Sequence, residues 1–448
     1  MNLAPGADKR LESYLSDIGN ILKYPKRKSA FATYIVGLFS MVERKTAEGL
    51  AALSVPDETR IDAEHQRLLH VIGQSKWNDR AVRRYAAKYA LEAMPEAEQT
   101  ESWIVDDTGI IKKGTHSVGV QRQYTGTSGK VDNCQIGVSL VATTKQWQIP
   151  LDFELYLPEV WMEDSERRRR AKIPENLSFR TKEDLSLGMI DRALEDGLPR
   201  PKIILADAAY GRSAAFRTAI RQHKIHYGVA VRKDLKVRRL DEAGIRRGPA
   251  TTVQSIAKKA KYRRITWTGG SKGALSSSFA FVRVIPEAEL NEHAEAEAVW
   301  LVIERPDNEE EKFQLCSLAK NTSYREIVRL LHLRWKTERV YQDLKQEFGL
   351  DEYQGRSFVG WHHHVTAAMV CMAFATAEQA RLFPPRPTSV TTDDKTLTGS
   401  TPAAFRRIHG DSAQADSAPP SSLAPALPFV PSTDTETGQI RLYSNVTQ

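Results

Sequence analysis

Pro201-Lys202-Ile203-Ile204-Leu205-Ala206-Asp207 is the stretch on which the fold turns. A short apolar run between polar ends has the length of a strand buried on both faces. Tyr210-Gly211 turns the chain into a helix, and Ile225-His226-Tyr227-Gly228-Val229-Ala230-Val231 reads as the next strand. Strand, helix, strand, with the strands largely apolar, implies a parallel pair joined by a crossover.

Working back toward the N-terminus, the texture changes to a meander. Ser102-Trp103-Ile104-Val105 is a short strand ending at Asp106-Asp107-Thr108-Gly109, and stretches 133–142 and 147–157 alternate at period two. Three antiparallel strands followed by a parallel pair make a mixed α/β sheet flanked by helices. The connection Gly114 to Lys130 reads as a loop, and its Gly126-Thr127-Ser128-Gly129-Lys130 looks like a phosphate loop. Such a loop requires Gly at position 124 and Ser or Thr at 131, where this chain has Tyr124 and Val131, so nucleotide binding is rejected. A basic connector, Arg167 to Arg170, leads into a helix from Thr181 to Glu195. Residues 1–95 read as a helical, DNA-binding domain: Phe31, Tyr34, Ile35, Leu38, Phe39 and Val42 keep helical spacing, and Asn78 suits an N-cap. A purely structural bundle fits the same pattern.

Working forward, residues 96–231 form the first part of the core and 232–320 a basic, mainly β insertion, with strands containing Arg263, Arg264 and Trp300. From Val231 to Leu275 there are 13 Lys and Arg against 3 Asp and Glu, a local balance of +10 in a chain of net charge +8. A cationic block of that density is the footprint of a polyanion-binding surface. Residues 321–383 resume the core, and 384–448 are a Pro-, Ser- and Thr-rich tail expected to be disordered. Within 321–383 lies Arg334-Trp335-Lys336-Thr337-Glu338-Arg339-Val340-Tyr341-Gln342-Asp343-Leu344-Lys345. At about 100° per residue, Arg334, Glu338, Tyr341 and Lys345 share one helical face. By itself this reads as a surface helix with an Arg334–Glu338 ion pair. His362-His363-His364 point in different directions on a helix and read as DNA contacts or plain surface.

The 448 residues suffice for two or three domains, and 41% hydrophobic content is that of an ordinary globular protein. No apolar run is long enough to span a bilayer, and Met1 to Gly6 lack the charged and apolar regions of a signal peptide. Cys134, Cys316 and Cys371 form neither a disulfide framework nor a zinc pattern. A reducing, cytoplasmic location with no membrane partner is expected.

Asp107 and Asp207 each follow an apolar strand, and Glu338 returns on a helix after the insertion. Three carboxylates in one crevice are hard oxygen ligands suited to Mg²⁺. Turn capping is the plain structural alternative for each Asp. Alternation sends Asp106 and Asp107 to opposite faces, so one of the two faces the crevice.

Together these features resemble insertion-sequence transposases of the Asp-Asp-Glu (DDE) superfamily, whose core is ribonuclease-H-like. The branch is the one whose catalytic helix reads Tyr-x-x-Arg-x-x-x-Glu-x-x-x-x-x-x-Lys. Arg334, Glu338 and Lys345 hold that spacing, and Leu331 stands at the Tyr position. The first motif resembles Val105-Asp106-Asp107-Thr108-Gly109 and the second Leu205-Ala206-Asp207-Ala208-Ala209-Tyr210-Gly211, with the likeness covering about residues 25 to 380. The family's Asp precedes Thr, so the resemblance implies Asp107, Asp207 and Glu338 as catalytic metal ligands for two Mg²⁺ ions, with Mn²⁺ as a substitute. It also implies that Arg334 and Lys345 contact DNA phosphates, with Tyr341 standing in for the missing Tyr. Trp335 and Trp300 would stack on an unpaired base, with core packing as the alternative for both, and Arg263 and Arg264 would contact DNA. The implied partners are transposon-end DNA and target DNA, bound by a homodimer near the bacterial nucleoid. A catalytically inactive end-binding protein and a plain ribonuclease-H-like nuclease are the competing readings.

Overall fold

The computed structural model describes residues 5–95, 99–240, 246–268, 273–289, 297–383, 429–433 and 440–444. Twelve strands form one sheet: β1 (Ser102–Ile111), β2 (Gln121–Thr125), β3 (Lys130–Thr143), β4 (Gln148–Tyr156), β5 (Ile203–Ala206), β6 (His226–Val231), β7 (Lys236–Leu240), β8 (Arg246–Thr252), β9 (Arg263–Thr268), β10 (Ala274–Pro286), β11 (Val299–Arg305) and β12 (Lys312–Cys316). The order is β2-β3-β1-β5-β6-β12-β11-β10-β7-β8, with β4 on β3 and β9 on β10. β5 lies parallel to both β1 and β6, as the crossover reading requires, and the other pairs are antiparallel. This is the mixed α/β sheet expected of a ribonuclease-H-like core. Strands β7 to β12, which fall in the stretch expected to be an insertion, continue the same sheet edge to edge, because β12 pairs with β6.

Two expectations shift. β1 does not stop before its aspartates but runs on to Ile111, each residue paired with β3 as far as Ile111↔Cys134. Satisfying every backbone donor and acceptor outweighs the poor strand propensity of Asp and Gly. The expected loop between the first two strands contains β2, and Gly126 to Gly129 form the turn of a β2–β3 hairpin with no helix behind it.

The sheet is covered on both faces, with period-two alternation deciding which side chain goes where. Ile104, Ile203 and Leu205 pack with Ile327, Val328 and Leu331. Trp103, Val105, Ile204 and Ala206 pack with Leu185, Met189 and Ile190 of the helix Lys182–Glu195. That helix starts with a capping box between Thr181 and Asp184.

Five helices precede the sheet: α1 (Ala7–Leu22), α2 (Pro25–Phe39), α3 (Ala47–Ser54), α4 (Ile61–Gly73) and α5 (Asp79–Glu92), the last capped by Asn78. α2, α4 and α5 pack along the long helix Phe358–Leu382, and α1 reaches it through Tyr14. Tyr14 packs on Phe374 at 5.5 Å and donates to Val370 O at 3.1 Å. The reading of His362, His363 and His364 as DNA contacts or surface is corrected: all three are buried. His363 stacks on Trp77 at 3.7 Å, and His364 links the Tyr34 hydroxyl (2.8 Å) to Gly349 O (2.9 Å). Burial drives both imidazoles down to about 4, so they sit neutral in the core. Most of the tail 384–448 lies outside the described residues; within it Phe429–Thr433 pairs with Ile440–Ser444. Among the described residues no helix is long and apolar enough to cross a membrane.

Candidate active site

The helical stretch opened by Tyr324 is broken. Tyr324–Leu331 is α-helical, His332–Trp335 tightens into a 3₁₀ turn, and Lys336–Gln346 continues as α-helix. Leu331, at the signature Tyr position, is buried against β6: a Cβ on Gly228 would lie 2.4 Å from Leu331 Cδ2. A glycine in that strand makes room for the leucine, and a tyrosine there would need a larger gap.

The register of β1 against β3 settles the two aspartates' directions. Asp106 faces Ser139 across the pair, and Ser139 Oγ lies 2.7 Å from the Tyr341 hydroxyl of helix Lys336–Gln346. Directly paired residues project from the same face, so Asp106 points toward the helix that carries Glu338. Asp107 points the other way and is held by Lys182 Nζ at 2.9 Å. Asp207, at the end of β5, caps the short helix Ala208–Gly211 by accepting from Ala209 N at 2.9 Å. Gly211 is required there, since a Cβ would come within 1.9 Å of Ala230 O.

Electrostatics separate the two aspartates further. Burial pushes the Asp106 carboxyl up to about 7, Arg334 opposes this, and neighbouring Asp207 adds to it. Asp107 is also raised by burial, with Lys182 opposing the rise and Asp207 adding to it, as it does for Asp106. Arg334 Nη1 lies 3.4 Å from Asp106 Oδ2, so the arginine spans to β1 rather than pairing with Glu338. Glu338 is exposed and makes no side-chain hydrogen bond or ion pair among the described residues. Among those residues no three carboxylate, imidazole or thiolate side chains converge closely enough to enclose a metal ion.

The remaining candidates divide. Lys345 Nζ donates to Gly109 O (2.9 Å) and Thr127 Oγ1 (3.1 Å), and burial lowers its pKa. Trp335 is 43% exposed beside Arg334, open to a stacking partner. Tyr341 is buried, with its hydroxyl spent on Ser139, so it lines the floor under Asp106 rather than a DNA-facing surface. Trp300 is core: it packs on Phe281 and Tyr324, with the Arg283 guanidinium over its ring at 4.9 Å. Arg263 is exposed and stacks over Tyr324 at 4.5 Å. Arg264 is engaged by Asp307 at 2.7 and 2.8 Å. Sequence reasoning missed Lys182, which stands 75 residues from Asp107 with no local pattern to signal the pair.

Two family models match the chain: the DDE superfamily endonuclease over residues 19–274 and the transposase DDE domain over residues 184–374. A relative from Microchaete diplosiphon, described as "Probable transposase for insertion sequence element IS701", is 25% identical over 328 residues, 72% of this chain and 76% of its own length.

Proposed function

From the premise that this chain belongs to the DDE superfamily endonucleases, as an insertion-sequence transposase, we propose that it cuts DNA at its element's ends and joins the freed 3′-hydroxyls to target DNA. One observation carries the reading: Asp106 of β1 and Asp207 at the end of neighbouring β5 raise each other's electrostatic cost with one arginine nearby, and Asp106 faces the helix that presents an unpartnered Glu338. Carboxylates are the hard oxygen donors that a divalent cation such as Mg²⁺ or Mn²⁺ takes, and Asp106, Asp207 and Glu338, which do not converge on one point here, would hold it after drawing together. When bound, one or two such ions would lower the pKa of an attacking water and stabilise the leaving oxygen.

This assignment takes Asp106 as the first ligand in place of Asp107. Asp107 with Lys182 then steadies β1 against the Lys182–Glu195 helix. Arg334 orients the Asp106 carboxylate and offers its remaining donors to a phosphate oxygen. Lys345 positions Gly109 and the hairpin turn beside the site. Tyr341 holds Ser139 and excludes water from beneath Asp106. The insertion's exposed cations and the N-terminal helices, where Arg27 stacks over exposed Tyr24, supply the surface for end and target DNA. Coordinated cutting of two ends calls for a homodimer on DNA.

The test uses the full chain and a duplex copied from the DNA flanking its coding sequence. Asp106→Asn, Asp207→Asn and Glu338→Gln should each abolish Mg²⁺-dependent cleavage while leaving duplex binding intact. Retained cleavage in all three sinks the reading. Cleavage lost in Asp107→Asn but kept in Asp106→Asn would return the role to Asp107.

A further inference from the structure

The β2–β3 hairpin is fastened to the rim of the site by hydrogen bonds. Thr127 Oγ1 donates to Gly109 O at 3.0 Å, and Lys345 Nζ bonds both partners. The close approach depends on glycine, because a Cβ on Gly109 would fall 1.9 Å from Thr125 Oγ1. Gly109 stands three residues past Asp106, about 10 Å along a strand. Lys345 stands seven past Glu338, about 10 Å along a helix. Both routes place the hairpin turn roughly three B-DNA base steps from the carboxylates.

The hairpin's outer surface is unusual in composition. β2 bonds to β3 alone, and the cross-strand pair Tyr124 and Val131 is 66% and 53% exposed. Arg122 shares the Tyr124 face, Lys130 is exposed at the turn end of the hairpin opposite Thr125, and Lys113 is exposed just past β1, none with an acidic partner among the described residues. The hairpin's one carboxylate, Asp132, turns its Oδ1 back to Asn133 N at 2.8 Å. An open aromatic ring among unneutralised cations suits a nucleic-acid strand, whose bases stack and whose phosphates need countercharge. A protein partner would be expected to cover more apolar surface with less surplus charge.

We propose that this hairpin grips the DNA strand beside the scissile phosphate, with Tyr124 stacking on a base and Lys113, Arg122 and Lys130 neutralising phosphates. The inference rests on the DNA-cutting reading and gives that site a specific strand-holding surface. Binding is measured by anisotropy across a salt series, with the full-length protein and two probes. One is the flanking-DNA duplex; the other is the same duplex with a short single-stranded 3′ end. Tyr124→Ala should weaken binding to the single-stranded-ended probe about tenfold, and Tyr124→Phe should restore it. The Arg122→Ala/Lys130→Ala double variant should flatten the log–log salt slope by about 1.4 to 1.8. Thermal unfolding should not change, because these side chains are exposed. Variants that bind like wild type with the same slope overturn the inference. A Tyr124→Ala change in sedimentation of the DNA-free protein, with the slope unmoved, assigns the surface to a second copy and also overturns it. A wild-type protein that binds neither probe sinks the DNA reading itself, and this inference with it.

Discussion

Two clusters of charge in this molecule look alike in sequence and differ in what they are for. One links α5, β4 and two helices through Arg83, Asp152, Arg192, Glu154 and His362. Arg83 Nε lies 2.9 Å from Asp152 and its Nη1 2.6 Å from Asp79, while Arg192 reaches Asp152 and Glu154 at 2.6 Å each. Burial alone would raise Glu154, yet His362, Arg192 and Arg83 together pull it well below its ordinary value. Every charge there has a partner. In the other cluster, Asp106 and Asp207 repel each other with one arginine at 3.4 Å, and Glu338 has no partner among the described residues. A satisfied network holds helices to a sheet; an unsatisfied one of oxygen ligands is poised to receive something cationic.

The contrast can be broken most directly by Asp106→Asn. Cleavage should fall about a thousandfold or more, while the unfolding midpoint holds or rises, because a poorly compensated buried charge is removed. Arg83→Met should do the reverse in kind. Stranding Asp79 and leaving Asp152 with Arg192 alone should cost about 3–5 kcal/mol in denaturant unfolding, and any cleavage defect should follow the loss of folded protein.

A third test uses the buried histidines. Above pH 6.5 His363 and His364 are neutral whether folded or not. Between 6.5 and about 4 the unfolded chain takes up protons that the folded chain refuses, so stability falls as pH falls. Each contributes about 1.4 kcal/mol per pH unit through that window, and His364→Gln should make the midpoint-against-pH slope shallower. The smallest effect belongs to Glu338→Gln, whose unfolding free energy should stay within about 0.5 kcal/mol of wild type although cleavage is lost. A large destabilisation there would mean that Glu338 belongs to the satisfied class.

Much of this architecture was legible in local pattern. The apolar run 203–206, the period-two stretches of β3 and β4, the helix beginning at Thr181, the Asn78 cap and the helix bearing Glu338 all follow from short-range sterics and hydrophobic periodicity. What local pattern misjudged was set by distant partners. β2 and the full length of β1 exist because β3 satisfies their backbones, His364 and His363 are buried because α2 and α4 close over them, and His362 is buried against Glu154 of β4.

The aspartate pair shows the boundary between the two kinds of information most clearly. Alternation alone determined that Asp106 and Asp107 point to opposite faces, since strand period is a property of the backbone. It could not say which face meets the helix that carries Glu338, because helices cover both sides of β1 and supply a cation to each. Only the tertiary structure decided that. Ser139, paired with Asp106, touches Tyr341 on one face, and Lys182 waits for Asp107 on the other. Those contacts join residues tens to hundreds of positions apart, and packing of the whole sheet is what brings them together.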